Sequence, residues 1–219
     1  MYTNILYSFR RCPYAMRARW ALLKTNERVV LREVSLNNKP RELLSISPKS
    51  TVPVLVTCCG TVIDQSIDII LWTLMKNQAY HFLYDSDDFK LTSESSTIIR
   101  QNDIKFKYHL DRYKYPNRYR DINPEHHRNA ARAILIDWNG RLSKDPNSWL
   151  LGQSETFVDW SVWPFVRQYR MVNEEYFDND IQIASLRNWL VRYTNNNLFK
   201  ILMRKIVPWS QSQNNVYFP

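Results

Sequence analysis

Glycine is scarce in this chain. Its 219 residues hold three, Gly60, Gly140 and Gly152. Neither a dinucleotide-binding fingerprint nor a phosphate loop can be built from them, because both need several glycines where backbone meets phosphate. Cysteine is scarce too: Cys12, Cys58 and Cys59. An odd number with two adjacent is not a disulfide framework, and it points to a reducing, cytoplasmic setting. No apolar run reaches the length of a membrane span. The first residues lack the charged-then-apolar layout of a secretory signal, so export is not expected. The four histidines, His81, His109, His126 and His127, show no spacing with cysteine or carboxylate that suggests zinc, so no metal is expected.

What the chain has in quantity is aromatic and basic. It carries eight Trp and thirteen Tyr, and a net charge of +9. The excess charge is uneven. Residues 1–78 hold eleven basic and five acidic side chains, and the longer remainder holds nineteen and sixteen. Positive charge therefore gathers at the N-terminal end, where it suits a small anionic ligand at least as well as a polymer. No lysine tract or helix-turn-helix pattern supports nucleic-acid binding.

The most informative stretch is Ser8-Phe9-Arg10-Arg11-Cys12-Pro13-Tyr14-Ala15-Met16-Arg17-Ala18-Arg19. Before it, Ile5-Leu6-Tyr7 reads as a buried strand. After it, Met16, Trp20 and Leu23 recur at helical spacing, with Arg17, Arg19 and Lys24 left for other faces. Pro13 suits a first helical position, where its missing N–H has no partner to lose. Cys12 then flanks the helix start. Its sulfur faces free N–H groups and the positive end of the helix dipole, with Arg10 and Arg11 beside it, and all of these favour thiolate. The position that a redox Cys-x-x-Cys motif would give to its second cysteine is Ala15. A mixed disulfide on Cys12 would therefore need an outside thiol to resolve it. A small buried, inert cysteine is the alternative reading.

Downstream, Arg28 to Val34 reads as a strand, Pro40 opens a short helix over Arg41 to Ile46, and Thr51 to Thr57 is a strand with Pro53 at its front. Cys58-Cys59-Gly60-Thr61 is a hairpin turn before the short strand Val62-Ile63. A helix follows, with Ser66 at or near its cap. Residues 79–92 read as a linker. From Ser93 on, helical spacing dominates: Ile98, Asn102, Phe106, Leu110 and Tyr113, then Asn123-Pro124 as a start, and Thr156 to Asp159 as a capping box. Pro164 predicts a kink in the helix that follows. The expected architecture is an α/β domain over 1–78 and an all-helical domain over 93–219.

Four motifs in order, Tyr7 to Ala15, Leu36-Asn37-Asn38-Lys39-Pro40, Val52-Pro53-Val54-Leu55 and Gln65-Ser66, resemble the glutathione transferase superfamily, and within it the cysteine-type, omega-like members. The resemblance implies a thioredoxin-like domain holding glutathione, a helical domain lining the second-substrate site, and a homodimer. It implies Cys12 as the catalytic thiol, Pro53 as a cis proline exposing the backbone of Val52, Ser66 and Gln65 at the γ-glutamyl end of glutathione, and Lys39 at its glycyl carboxylate. The second substrate would be a small electrophile or a mixed disulfide. Two departures stand out. Gln65 replaces the usual Glu, so neutralising the ligand's amino group would fall to Asp68 or a partner subunit. Ser50 stands where the family has Gly, so that turn must avoid positive φ or carry strain.

Taken alone, Ser66 also reads as a plain helix cap, Lys39 as a solvated turn lysine, and Pro53 as a fold residue. Three functions follow. The first is glutathione-dependent thiol transfer through Cys12. The second is conjugation with a glutathione thiolate stabilised by Tyr7 or Ser8. The third is a non-enzymatic interaction module on the same fold. Tyr108, Arg112 and Tyr115 are candidates for the second-substrate pocket.

Overall fold

The computed structural model describes residues 3–83, 93–120, 122–212 and 214–219. In chain order they form β1 (Ile5–Ser8), α1 (Pro13–Thr25), β2 (Val29–Glu33), α2 (Arg41–Ile46), β3 (Val54–Val56), β4 (Val62–Ile63) and α3 (Ser66–Lys76). Then come α4 (Ser93–Arg100), α5 (Lys107–Lys114), α6 (Pro124–Leu142), α7 (Phe157–Arg170), α8 (Glu174–Asp178), α9 (Ala184–Thr194), α10 (Asn197–Leu202) and β5 (Tyr217–Phe218). The strand–helix order of the first seven elements is the one the sequence predicts. No helix among the described residues is long and apolar enough to cross a membrane.

The chain divides into two compact units. One comprises the described residues of Met1–Tyr80 and Asn196–Pro219, and the other is His81–Asn195. The first holds a mixed five-stranded sheet in the order β4-β3-β1-β2-β5. β1 and β2 run parallel, with Leu6 opposite Leu31, while β3 lies antiparallel to β1 with Leu55 opposite Leu6. α1 and α3 pack together. On one sheet face Tyr7, Val34, Leu43, Val52 and Val54 make a core, against which Cys12 and Phe9 rest.

The reading of 93–219 as all-helical fails at its far end. β5 pairs antiparallel with β2, Val29 opposite Phe218, and belongs to the sheet. The signal was weak because two residues, Tyr217-Phe218, carry too little pattern to read as a strand. Of the linker expected over 79–92, Tyr80–Phe82 is a 3-10 turn and residues 84–92 lie outside the described residues.

The scarcity of glycine shows in the backbone. α1 ends on Asn26 in the left-handed region at φ 53, and Gln78 takes φ 52 just past α3. These are helix ends that glycine commonly occupies. Asn tolerates that conformation better than other side chains do.

Among its described residues the second unit has helices and no named strand, apart from an isolated bridge between Trp149 and Gly152. Ile98, Asn102, Phe106 and Leu110 are buried, but they recur every four residues, slightly wider than an α-turn. A π-helical stretch over Gln101–Phe106 accommodates that spacing. The capping box is present: the Thr156 N–H donates to Asp159 Oδ2 at 3.0 Å. Asp159 is fully buried and also accepts from the Leu150 N–H and Trp189 Nε1, both at 3.0 Å. Burial pushes its carboxyl up to about 6. α7 runs unbroken through Pro164.

Candidate active site

Cys12 stands at the N-cap of α1, in extended conformation, with Pro13 at the first helical position. Its N–H donates to Phe9 O at 3.0 Å, closing a tight turn, and its carbonyl accepts from Met16 N at 2.8 Å as the helix begins. The thiol is half-buried. It points to the loop before β3, where Cys12 Sγ donates to the Val52 carbonyl at 3.7 Å, and the Val52–Pro53 bond is cis. The sulfur thus sits between a helix N-terminus, which favours negative charge, and a carbonyl from the neighbouring loop.

Two arginines that helical periodicity leaves for faces other than the one carrying Met16, Trp20 and Leu23 are buried. Arg17 is 2% exposed and Arg19 is 1% exposed. Arg17 Nε donates to Ser66 Oγ at 2.9 Å. Arg19 Nη2 donates to Arg10 O at 2.8 Å, and its Nη1 donates to Leu202 O, at the end of α10, at 3.0 Å. Arg10 in turn donates its N–H to Glu33 Oε1 at 2.7 Å and its Nη1 to Met203 O at 3.3 Å. Burial lowers Arg19 to about 10, while Glu33 and Cys12 pull it back up. Burial likewise raises Glu33, against the bond from Arg10 and the charge of Arg19. The turn before Cys12 is therefore clamped by a buried cation and a buried carboxylate. Amphipathic spacing alone could not have located either arginine, because a buried Arg looks like a surface Arg in sequence. Arg10 and Arg11, expected as flanking charge, differ: Arg10 is tied into this clamp, and Arg11 is exposed with its guanidinium 5.6 Å from the Phe9 ring.

Gln65, exposed, is the N-cap of α3, and Ser66 is its first helical residue. Ser66 thus lies next to the cap, as expected, rather than at it. Its hydroxyl is taken up as an acceptor by Arg17 instead. Asp68 lies exposed in the first turn of the same helix. Ser50 adopts φ 51, so the turn takes the positive-φ option and carries the strain that a side chain meets there. Lys49 bridges from that turn to Asp64, just ahead of Gln65, at 3.2 Å. Lys39 is half-buried between β2 and α2, and no hydrogen bond or ion pair joins it to the other candidates among the described residues. The structure thus brings Cys12, Val52 and Pro53 together directly, and links α1 to Ser66 through Arg17.

The hydroxyls proposed for the conjugating reading are enclosed. Tyr7 is 2% exposed, its OH accepts from Arg32 Nη1, and burial raises it. Ser8 is fully buried, and among the described residues its hydroxyl finds no hydrogen-bond partner. The C-terminal tail covers Tyr7. Trp209 meets its ring edge-on at 6.3 Å, Arg32 stacks on Trp209 at 3.9 Å, and Trp209 N donates to Glu33 O at 2.8 Å.

In the helical unit, Tyr108 is 48% exposed beneath the Arg112 guanidinium, which also meets Tyr119, and Tyr115 lies between Lys114 and Arg118. A cavity of about 470 Å³ in that unit is lined instead by Arg132, Asn173, Tyr176 and Asp180 among others, and includes none of Tyr108, Arg112 or Tyr115. Among the described residues, no group of three or more His, Cys, Asp or Glu side chains is placed to hold a metal.

A mixed sheet entered through a cis proline, with a cysteine at a helix start, followed by a helical unit, defines a thioredoxin-like domain joined to a helical domain. Two family models match: residues 6–81 fit the glutathione S-transferase N-terminal domain and residues 108–195 its C-terminal domain. The chain belongs to the glutathione S-transferase superfamily. Solved structures share the fold at low identity. A glutathione transferase family member from Pseudomonas fluorescens with two glutathione bound is 16% identical, covers 92% of each chain and has a TM-score of 0.78. Glutathione transferase Omega 3C from Trametes versicolor is 17% identical over 86% of this chain and 85% of its own, at 0.69. Ure2p in complex with S-hexylglutathione is 15% identical over 92% of this chain and 98% of its own, at 0.78. No curated protein matches the chain in sequence.

Proposed function

We propose that the protein is a glutathione-dependent thiol transferase with Cys12 as nucleophile. The half-buried Cys12 sulfur, held at the α1 N-terminus 3.7 Å from the Val52 carbonyl, carries this reading. The Cys12 thiolate attacks the glutathionyl sulfur of a mixed disulfide. The protein–glutathione disulfide forms as the substrate thiolate leaves and takes a proton. A second glutathione, as thiolate, attacks the glutathione sulfur of that adduct, and oxidised glutathione departs as Cys12 thiolate is restored. An outside thiol is required, because Cys58 and Cys59 lie past the other end of β3, about 20 Å along the strand from Val52. Val52 would pair with the peptide backbone, Ser66 and Gln65 would hold the γ-glutamyl end, and Lys39 the glycyl carboxylate. The enclosure of Tyr7 and Ser8 favours Cys12 over a hydroxyl-stabilised thiolate. A cytoplasmic homodimer acting on a small electrophile or mixed disulfide completes the reading.

The test is intact-protein mass after exposure to oxidised glutathione, with Cys12→Ala alongside. One glutathione adduct on Cys12, absent from the variant and removed by reduced glutathione, supports the proposal. A folded protein with no adduct at Cys12 sinks it.

A further inference from the structure

The thiol-transfer chemistry leaves Cys58 and Cys59 without a role. They are exposed and adjacent, at the tip of the β3–β4 hairpin. Their sulfurs are 3.9 Å apart.

The turn that carries them is fixed from three sides. Gly60 N donates to Thr57 O at 2.9 Å, and Thr57 N to Thr61 O at 2.8 Å. Thr61 N donates to Thr57 Oγ1 at 3.1 Å. The Cys58 N–H donates to Asn4 Oδ1 at 2.8 Å, and Asn4 is itself held by Glu27 through its Nδ2 at 3.0 Å. Cys58 and Cys59 are thus the two central residues of a pinned turn, and their side chains leave from neighbouring backbone positions. The space next to the turn is open: a Cβ at Gly60 would meet no atom within 4 Å other than those of its chain neighbours.

Two thiolates on one tetrahedral centre with metal–sulfur bonds of about 2.3 Å lie about 3.8 Å apart. The observed separation is close to that figure, so one ion could accept both sulfurs with little movement of the turn. We propose that Cys58 and Cys59 form a chelating dithiol for a thiophilic divalent cation of the zinc and cadmium type. Binding forms two metal–sulfur bonds and releases the thiol protons to solvent, so occupancy rises with pH. No third His, Cys, Asp or Glu ligand joins the pair among the described residues. The remaining positions on the ion stay open to water or a small thiol. Soft sulfur donors select such ions over magnesium or calcium.

The experiment uses Cd2+ alone, in a buffer free of thiols, on the full chain carrying Cys12→Ala so that the active-site cysteine contributes nothing. Thiolate-to-cadmium charge-transfer absorption and equilibrium dialysis give the stoichiometry. We expect one Cd2+ per chain. Either Cys58→Ser or Cys59→Ser should weaken binding at least tenfold, with the far-ultraviolet circular dichroism of both variants unchanged. Binding that survives in both single variants, or no binding in the Cys12→Ala protein, overturns the proposal. Either outcome leaves the Cys12 reading standing, because that residue is absent throughout.

Discussion

Arg17, buried inside α1, donates its Nε to the hydroxyl of Ser66 at 2.9 Å. With its oxygen engaged as an acceptor, the Ser66 hydroxyl keeps its proton for a ligand at the start of α3, where backbone N–H groups also face outward. Ser66→Ala should therefore weaken glutathione binding by about tenfold, the worth of one hydrogen bond to a charged group. Titration calorimetry reads this directly. An unchanged affinity would mean that Ser66 serves the fold alone.

Arg19 tests the clamp behind Cys12. Its guanidinium holds the Arg10 carbonyl at 2.8 Å and interacts electrostatically with Cys12. Arg19→Met removes the charge, and Arg19→Lys keeps it. The rate of iodoacetamide alkylation at Cys12 should fall roughly three- to tenfold at pH 7 in the Met variant, with its pH midpoint moved upward. The Lys variant should stay near the wild type. Equal loss in both would assign Arg19 to positioning of the turn rather than to charge.

Ser50 at φ 51 carries the strain of a left-handed conformation. That conformation costs a side chain about 1–2 kcal/mol, part of which glycine gives back through a freer unfolded chain. Ser50→Gly should stabilise the protein by up to about 1 kcal/mol in urea unfolding. A destabilised variant would show that the Ser50 side chain contributes more than its backbone costs.

His109 and His127 share a hydrogen bond between their Nδ1 atoms at 2.9 Å, joining α5 to α6. One ring must be neutral to accept it. Burial lowers both, and His126 and Arg112 add to the effect. A histidine held below its ordinary value binds a proton more readily when unfolded, so its contribution is complete above about pH 6.5 and lost as pH falls. Thermal unfolding followed from pH 8 to 5 should show the midpoint falling below pH 6.5, and less so in His127→Gln. An equal acid response in the variant would remove this pair as the cause.

The order of the first seven elements was legible because each carries its own punctuation: Pro13 and Pro40 at helix starts, Pro53 before a strand, Gly60 in a turn. The placement of Cys12 followed from the same signals. Arg17, Arg19 and Glu33 were not legible, since their burial depends on partners elsewhere in the chain: the Ser66 hydroxyl for Arg17, the Leu202 carbonyl for Arg19 and the Arg10 N–H for Glu33. Periodicity reports which face a residue occupies, and says nothing about a distant partner that can satisfy a charge there. The π-helical stretch was hidden for a related reason: a repeat of four fits both a slightly drifting α-helix and a wider turn. Lys39 remains a candidate from motif alone.

β5 pairs with β2 across almost the whole described sequence, with the unit His81–Asn195 lying between the two strands along the chain. Closing so long a loop costs more chain entropy than closing the β3–β4 hairpin, so the β2–β5 contact rewards folding only after the rest of the sheet has formed. β5 also covers the β2 edge. With Tyr217-Phe218 undocked, that edge would offer its unpaired backbone groups to another molecule.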